Sequence, residues 1–254
     1  MTDRVEMLGI MAALPQELGD LIAAMRAAGD VKTTTLGQRE YHVGEAHGVR
    51  CVATLARIGK VAAATTATAL IHEFGADAIV FTGVAGGVHA DVQVGDIVVA
   101  DALMQHDLDA SPLFPRFEVP LLDKARFETS AELSALLVAA SEAFLEQAGD
   151  ALRERFTVSR PRVHRGLIVS GDRFIASHDA VLALREVLPD ALAVEMEGAA
   201  LAQVCYEYGV PCAVVRTISD TADAAAPASF AEFLMAIAGA YSSGILSRFL
   251  RSRS

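Results

Sequence analysis

Residues 49–83 read VRCVATLARIGKVAAATTATALIHEFGADAIVFTG. The stretch opens on a β-branched run, passes through alanine-rich sequence of helical period, and closes on a second β-branched run. That alternation is the pattern of a mostly parallel sheet covered by helices. It recurs further along the chain in GDIVVAD (95–101), HRGLIVSG (164–171) and PCAVVRTIS (211–219). Helices are predicted over about 15–28, 60–74, 130–149, 178–187, 198–208 and 229–250. The expectation is an α/β chain forming one domain over 1–254, with a mixed, mostly parallel central sheet flanked by helices.

Composition narrows the classes of function. With 53% hydrophobic residues and 8 prolines, the chain has ample apolar surface for a packed interior. Thirty-two acidic against 21 basic residues give a formal charge of -11, which repels nucleic acid and anionic lipid. The opening MTDRVEMLGIMAALPQE suits neither a secretory signal nor a membrane span, so a cytoplasmic protein is expected. Cys51, Cys205 and Cys212 have no CxxC spacing and fall in apolar stretches, as small packed hydrophobes do.

Ligands of open α/β sheets bind at the carboxyl ends of strands, which directs attention to the polar and glycine-rich residues there. Glu17 follows LGIMAAL, TGVAGG spans Thr82 to Gly87, VEMEG spans Val194 to Gly198, and Ser219-Asp220 follows AVVRTI. TGVAGG lets backbone approach a ligand, yet is neither GxGxxG nor a P-loop; a tight turn and a binding nest both fit it. Glu195 and Glu197 are two apart at a strand end and are expected to point to opposite sides if extended, so that only one enters a given pocket, and Glu197 is the candidate. It suits a vicinal diol, or a helix N-terminus. Asp220 after an apolar strand suits a general acid of raised pKa, or an N-cap.

HDLD (His106 to Asp109) is an incomplete metal-ligand set, and His72 and His178 read as helix-surface residues, so no metal is expected. From Gln105 to Asp123, Pro112, Pro115 and Pro120 impose a loop bearing Leu113, Phe114 and Phe117. Such a loop either folds onto its own core or serves as a lid or subunit contact.

Taken in order, LGIMAALPQEL, IGKVAAATTATALI, TGVAGG, VGDIVVAD, HDLD, GLIVSGDRFI, AVEMEGAALAQVCYEYGVPCAVVRTISDTAD and SFAEFL resemble the methylthioadenosine/S-adenosylhomocysteine nucleosidases, within the nucleoside phosphorylase superfamily. The resemblance implies a nucleoside phosphorylase-like fold, a homodimer, an adenine nucleoside as ligand, and hydrolysis of its N-glycosidic bond without a cofactor. It implies that Glu17 activates water and that Asp220, positioned by Ser219, protonates adenine N7. It implies further that Glu197 and Met196 hold the ribose with Arg216 near Glu197, that Phe174 stacks on adenine, and that the Ile175 backbone bonds the base edge. Val194, Ile58, Val84, Ala85, Gly86 and Phe230 line the site.

The chain departs from the family pattern at three places. Ala56-Arg57 stands where Ser-Gly is usual, Val84 replaces a serine, and ASPLFPRFEVPLL (110–122) replaces a Gly-Gln-Pro-Gly loop that helps cover the 5' substituent across a dimer. Met104, Leu113 and Phe114 are candidate contacts to that substituent. Arg57 is a cation suited to phosphate, which supports the alternative of an adenine nucleoside phosphorylase. A storage or binding protein is the further alternative, disfavoured because Glu17, Glu197 and Asp220 are all kept.

Overall fold

The computed structural model describes residues 6–18, 20–156, 161–221, 233 and 238–253. Its strands are β1 (Leu8–Ala12), β2 (Lys32–Leu36), β3 (Arg39–Ala46), β4 (Val49–Leu55), β5 (Ala78–Gly87), β6 (Ile97–Gln105), β7 (Arg126–Glu128), β8 (Val163–Ser170), β9 (Ala191–Glu195) and β10 (Cys212–Asp220). Its helices are α1 (Pro15–Leu18), α2 (Leu21–Ala28), α3 (Lys60–His72), α4 (Ala131–Phe156), α5 (His178–Val187), α6 (Gly198–Tyr208) and α7 (Gly239–Arg251).

One mixed sheet runs in the order β10-β6-β8-β9-β5-β1-β4-β3-β2, with β7 on β6 and a further pairing of β10 with β5. Parallel ladders join β4, β1, β5 and β10, and also β6, β8 and β9. Antiparallel ladders join β10 to β6 and β5 to β9. The five strands β5, β10, β6, β8 and β9 therefore close a ring, made possible by the length of β5. Its first half pairs with β1, while Gly86 and Gly87 at its end reach Val194 and Ala193 of β9.

Strand alternation feeds separate cores. Ile10, Val80, Val99 and Val215 pack with Met25 of α2, Leu137 and Phe144 of α4, and Tyr241 and Phe249 of α7. Their neighbours Met11, Ile79, Phe81, Val98 and Val214 pack with Ala63 and Leu70 of α3 and Leu201 and Cys205 of α6. Each fully buried large apolar side chain contributes roughly 1.5–3 kcal/mol. All nine residues of β10 are buried, which explains why CAVV at its start shows no polar alternation.

The helix predicted over 15–28 is two helices, α1 and α2, with a turn at Asp20 between them. The β2–β3 hairpin was not anticipated, because β2 (KTTTL) is an edge strand with four of five residues exposed and no apolar face to reveal it. Helix α4 continues past the expected end at 149. Apart from Phe233 and Ala238, the predicted beginning of the last helix lies outside the described residues.

The three cysteines are free and buried, and burial pushes the Cys51 thiol up to about 12, which leaves it un-ionised. In the 106–125 connection Leu113 is 84% exposed, whereas Met104 at the end of β6 is buried with Val169 and Val194. Among the described residues no helix is long and apolar enough to cross a membrane.

Candidate active site

Five strand ends converge on one cavity of about 150 Å³. β1 leads to Ala13, Leu14 and Glu17; β5 supplies Val84, Ala85 and Gly86; β8 runs into Arg173, Phe174 and Ile175; β9 ends at Val194 and Glu195, followed by Met196 and Glu197; β10 ends at Ser219 and Asp220. Ile58 completes the wall. Apart from the three candidate contacts to the 5' substituent, every sequence-predicted site residue is in this lining except two. Arg216 lies beneath it, and Phe230 is outside the described residues.

Glu17 is brought back over the end of β1 by α1, whose start at Pro15 costs no hydrogen bond because the first helical N–H is unpaired anyway. The Glu17 Oε2 accepts the amides of Ala13 at 2.8 Å and Leu14 at 2.7 Å, and its Oε1 accepts the Val84 amide at 3.2 Å. The approach requires glycine at position 83: a Cβ there would stand 3.2 Å from Glu17 Oε1 and 3.3 Å from Arg216 Nη1. Burial raises the Glu17 pKa, opposed by the Leu14 amide, Arg216 and the Val84 and Ala13 amides. A carboxylate shifted upward is a stronger base than an exposed one.

Arg216 does not bond Glu197. Its Nη2 and Nε donate to Glu195 Oε2 at 2.7 and 3.2 Å, its Nη1 donates to the Phe81 carbonyl at 3.2 Å, and its guanidinium lies 4.1 Å from the Phe81 ring centre. Glu195 also accepts the Glu197 and Gly198 amides and the Ser170 hydroxyl, so its carboxylate, and not that of the N-cap residue Glu197, meets the amides at the start of α6. The expectation that only one of the two glutamates faces the cavity fails: both line it, since side chains two apart on an extended chain leave it on the same side.

Glu197 therefore faces the cavity with its Oε1 on the Gly59 amide at 2.8 Å. Gly59 has φ +100°, a left-handed conformation that glycine adopts without strain. Burial, then the adjacent Glu195, push the Glu197 carboxyl up to about 8, against the opposing pull of the Gly59 amide and Arg216. A carboxyl raised this far keeps its proton more readily at neutral pH than an exposed one. Two hydroxyl donors of a diol favour the ionised form.

A pH effect follows, with its sign fixed by the raised value. Stability from the retained proton is complete below the unfolded value of 4.5 and is lost as pH rises through about 8. The unliganded thermal midpoint of the wild type should fall more between about pH 5 and about pH 9 than that of Glu197→Gln, which has no proton to lose there. Parallel profiles would contradict the assignment.

Ser219 Oγ donates to Asp220 Oδ2 at 2.8 Å and approaches the Ala85 carbonyl at 3.3 Å, fixing the acid against β5. Both residues are buried at the rim of the ring. Phe174, 42% exposed, stands on the 171–177 loop. That loop is pinned where Asp107 Oδ2 accepts the Asp172 amide at 2.8 Å and Asp107 Oδ1 accepts Lys60 Nζ at 2.6 Å. Asp107 of HDLD thus ties the loop to α3.

Arg57 is not a cavity residue: its Nη2 donates to the Gln38 carbonyl, and it faces a neighbouring space beyond Ile58. Its backbone has φ 70°. Met104, Leu113 and Phe114 are likewise absent from the lining, Met104 because it is packed in a core and Leu113 because it stands out on the loop. Glu195, Ala13, Leu14 and Arg173 are lining residues not anticipated; of these only Glu195 carried a signal, in VEMEG.

A profile of the phosphorylase superfamily matches residues 7–251. The chain belongs to that superfamily. It is 37% identical over 228 residues to the 5'-methylthioadenosine/S-adenosylhomocysteine nucleosidase of Actinobacillus succinogenes, covering 89% of this chain and 91% of that protein. It is 36% identical to the aminodeoxyfutalosine nucleosidase of Helicobacter pylori, covering 91% and 92%. Among solved structures, the Neisseria meningitidis 5'-methylthioadenosine/S-adenosylhomocysteine nucleosidase in complex with methylthio-immucillin-A superposes with a TM-score of 0.86 at 34% identity, covering 98% of this chain and 100% of that one.

Proposed function

We propose that this superfamily member is a purine nucleosidase that hydrolyses the N-glycosidic bond of 5'-methylthioadenosine, S-adenosylhomocysteine or a similar adenine nucleoside. The observation that carries the reading is the pair of buried carboxyl groups facing one cavity: Glu17, of raised pKa and held by three amides, and Asp220, held by Ser219. Glu17 removes a proton from water as its oxygen attacks the anomeric carbon. Asp220 gives a proton to adenine N7, so that the base departs neutral. Carboxylate charge around the sugar stabilises the oxocarbenium-like transition state.

Glu197 receives the ribose diol beside Met196, and Phe174 and Ile175 receive the adenine ring. Val194, Val84, Ala85 and Gly86 close the wall. Arg216 acts from below, fixing Glu195 and through it the turn that presents Glu197. In a phosphorylase, phosphate would approach where the Glu17 carboxylate stands, and like charge opposes that. Arg57, the one cation that favoured phosphate, faces elsewhere.

The chemistry needs no metal or cofactor, since water and two carboxyl groups complete it. A cytoplasmic homodimer fits the rest of the reading: Ile58 is 55% exposed and Phe174 42%, an apolar rim that a second copy would cover. The reading is tested by incubating the purified chain with 5'-methylthioadenosine and following free adenine chromatographically. Adenine should accumulate; an intact nucleoside after prolonged incubation with folded protein would sink the proposal.

A further inference from the structure

The stretch VQVGDIV (92–98) leads into β6 through a tight turn, in which the Asp96 amide donates to the Gln93 carbonyl at 3.0 Å. Gly95 has φ +90°, the left-handed conformation that a glycine third in such a turn supplies without strain. Asp96 itself is 3% exposed, and its carboxylate takes no part in the proton transfers of Glu17 and Asp220. A carboxylate buried in this way is costly unless donors surround it.

The donors come from three directions. Asp96 Oδ2 accepts the Gln93 amide at 3.0 Å, which closes the turn from its other side, and the His164 Nε2 at 2.9 Å. Its Oδ1 accepts the Arg162 amide at 2.8 Å. The carboxylate therefore locks the turn to β8 and to the residue just before it. From α7, the Tyr241 hydroxyl donates to the Gly95 carbonyl at 2.9 Å.

What the locked turn holds is the end of β10. The antiparallel pairing of β10 with β6 stops at Thr217 and Ile97. Beyond it the Ile218 amide donates to the Asp96 carbonyl at 2.8 Å, and the Ile218 carbonyl accepts the Gly95 amide at 2.8 Å. On its opposite edge β10 runs beside β5, where Ile218 pairs with Ala85 and Asp220 with Gly86. Ser219 is one residue too many, a bulge of the kind that re-aims a side chain beside an active site. With Ile218 gripped from both edges, the extra residue is taken up at 219 and Asp220 is turned into the cavity.

We propose that Asp96, with His164 as its partner, is a positioning residue for the catalytic acid: it fixes the turn that grips Ile218, and the grip sets the bulge that aims Asp220 at the departing base. The inference rests on the nucleosidase reading and adds to its machinery two residues that do not line the cavity. Their effect is on proton transfer and not on binding, and misplacing a reacting group by about 1 Å lowers a rate by roughly 10²-fold.

The experiment measures kcat and KM for adenine release from 5'-methylthioadenosine in the wild type, Asp96→Asn, His164→Ala and His164→Gln. Asparagine keeps the size of the side chain but replaces one acceptor oxygen by a donor, which strands either the Arg162 amide or the Gln93 and His164 donors. In Asp96→Asn kcat should fall about 10- to 100-fold, with KM within about twofold of the wild type. His164→Ala should lower kcat in the same way, and His164→Gln, whose side-chain amide restores a donor to Oδ2, should recover most of the loss. Over Asp220→Asn, followed in single turnover with enzyme in excess, either substitution should cost less than about twofold, because the acid it aims is already gone.

A full penalty repeated over Asp220→Asn, or a rise in KM in place of a fall in kcat, overturns the positioning role and leaves the nucleosidase intact. Wild-type kcat in folded Asp96→Asn does the same, and where that variant does not fold, wild-type kcat in His164→Ala overturns the role alike. Absence of turnover by the wild type overturns the parent reading and the positioning role with it.

Discussion

Asp220→Asn should lower kcat for adenine release by roughly 10²- to 10⁴-fold, the range for loss of a positioned proton donor. The replacement is nearly isosteric, and its carbonyl oxygen still accepts the Ser219 hydroxyl that now reaches Asp220 Oδ2 at 2.8 Å. What it lacks is a transferable proton, so adenine must leave as an anion. The thermal midpoint should stay close to that of the wild type, which separates lost chemistry from lost fold. Wild-type turnover by a folded Asp220→Asn would refute the acid assignment.

Arg216→Met should be the most destabilising substitution at the site. Arg216 is 1% exposed and Glu195 7%, so removing the cation strands a buried carboxylate, at a cost of about 3–5 kcal/mol. For a chain of this size, each kcal/mol lowers the midpoint by roughly 2–4 °C, giving a fall of about 6–20 °C. Combining Arg216→Met with Glu195→Gln should recover part of that loss, since no stranded charge remains. A fall of less than about 2 °C in the single variant would show that Glu195 is satisfied by Ser170 and the Gly198 amide alone.

Much of this architecture was legible because burial writes itself into sequence. The runs at 49–55, 77–83, 95–101, 164–171 and 211–219 are apolar because β4, β5, β6, β8 and β10 are covered on their faces, and the polar residues at their ends stand out against that background. Glu17 and Asp220 were visible for this reason. The edge hairpin was not, because β2 is exposed and owes its place to pairing with β3. Ring closure was equally hidden, since it depends on where a ten-residue β5 changes partner.

Within the site, local rules failed where tertiary contacts replaced them. The exclusion of Glu195 misapplied the two-residue period of a strand, and its partners, Arg216 and Ser170, are 21 and 25 residues away. Arg57 was visible as a departure from the family pattern, yet its left-handed backbone is not announced by sequence. Phe230 lies outside the described residues.

The central claim is that water, activated by Glu17, is the nucleophile. The most direct measurement is adenine release from 5'-methylthioadenosine by the wild type, in phosphate-free buffer and again with phosphate added, with the sugar product identified in each. The account predicts the same rate in both and free methylthioribose as the product. Release only with phosphate, yielding the sugar 1-phosphate, would contradict it.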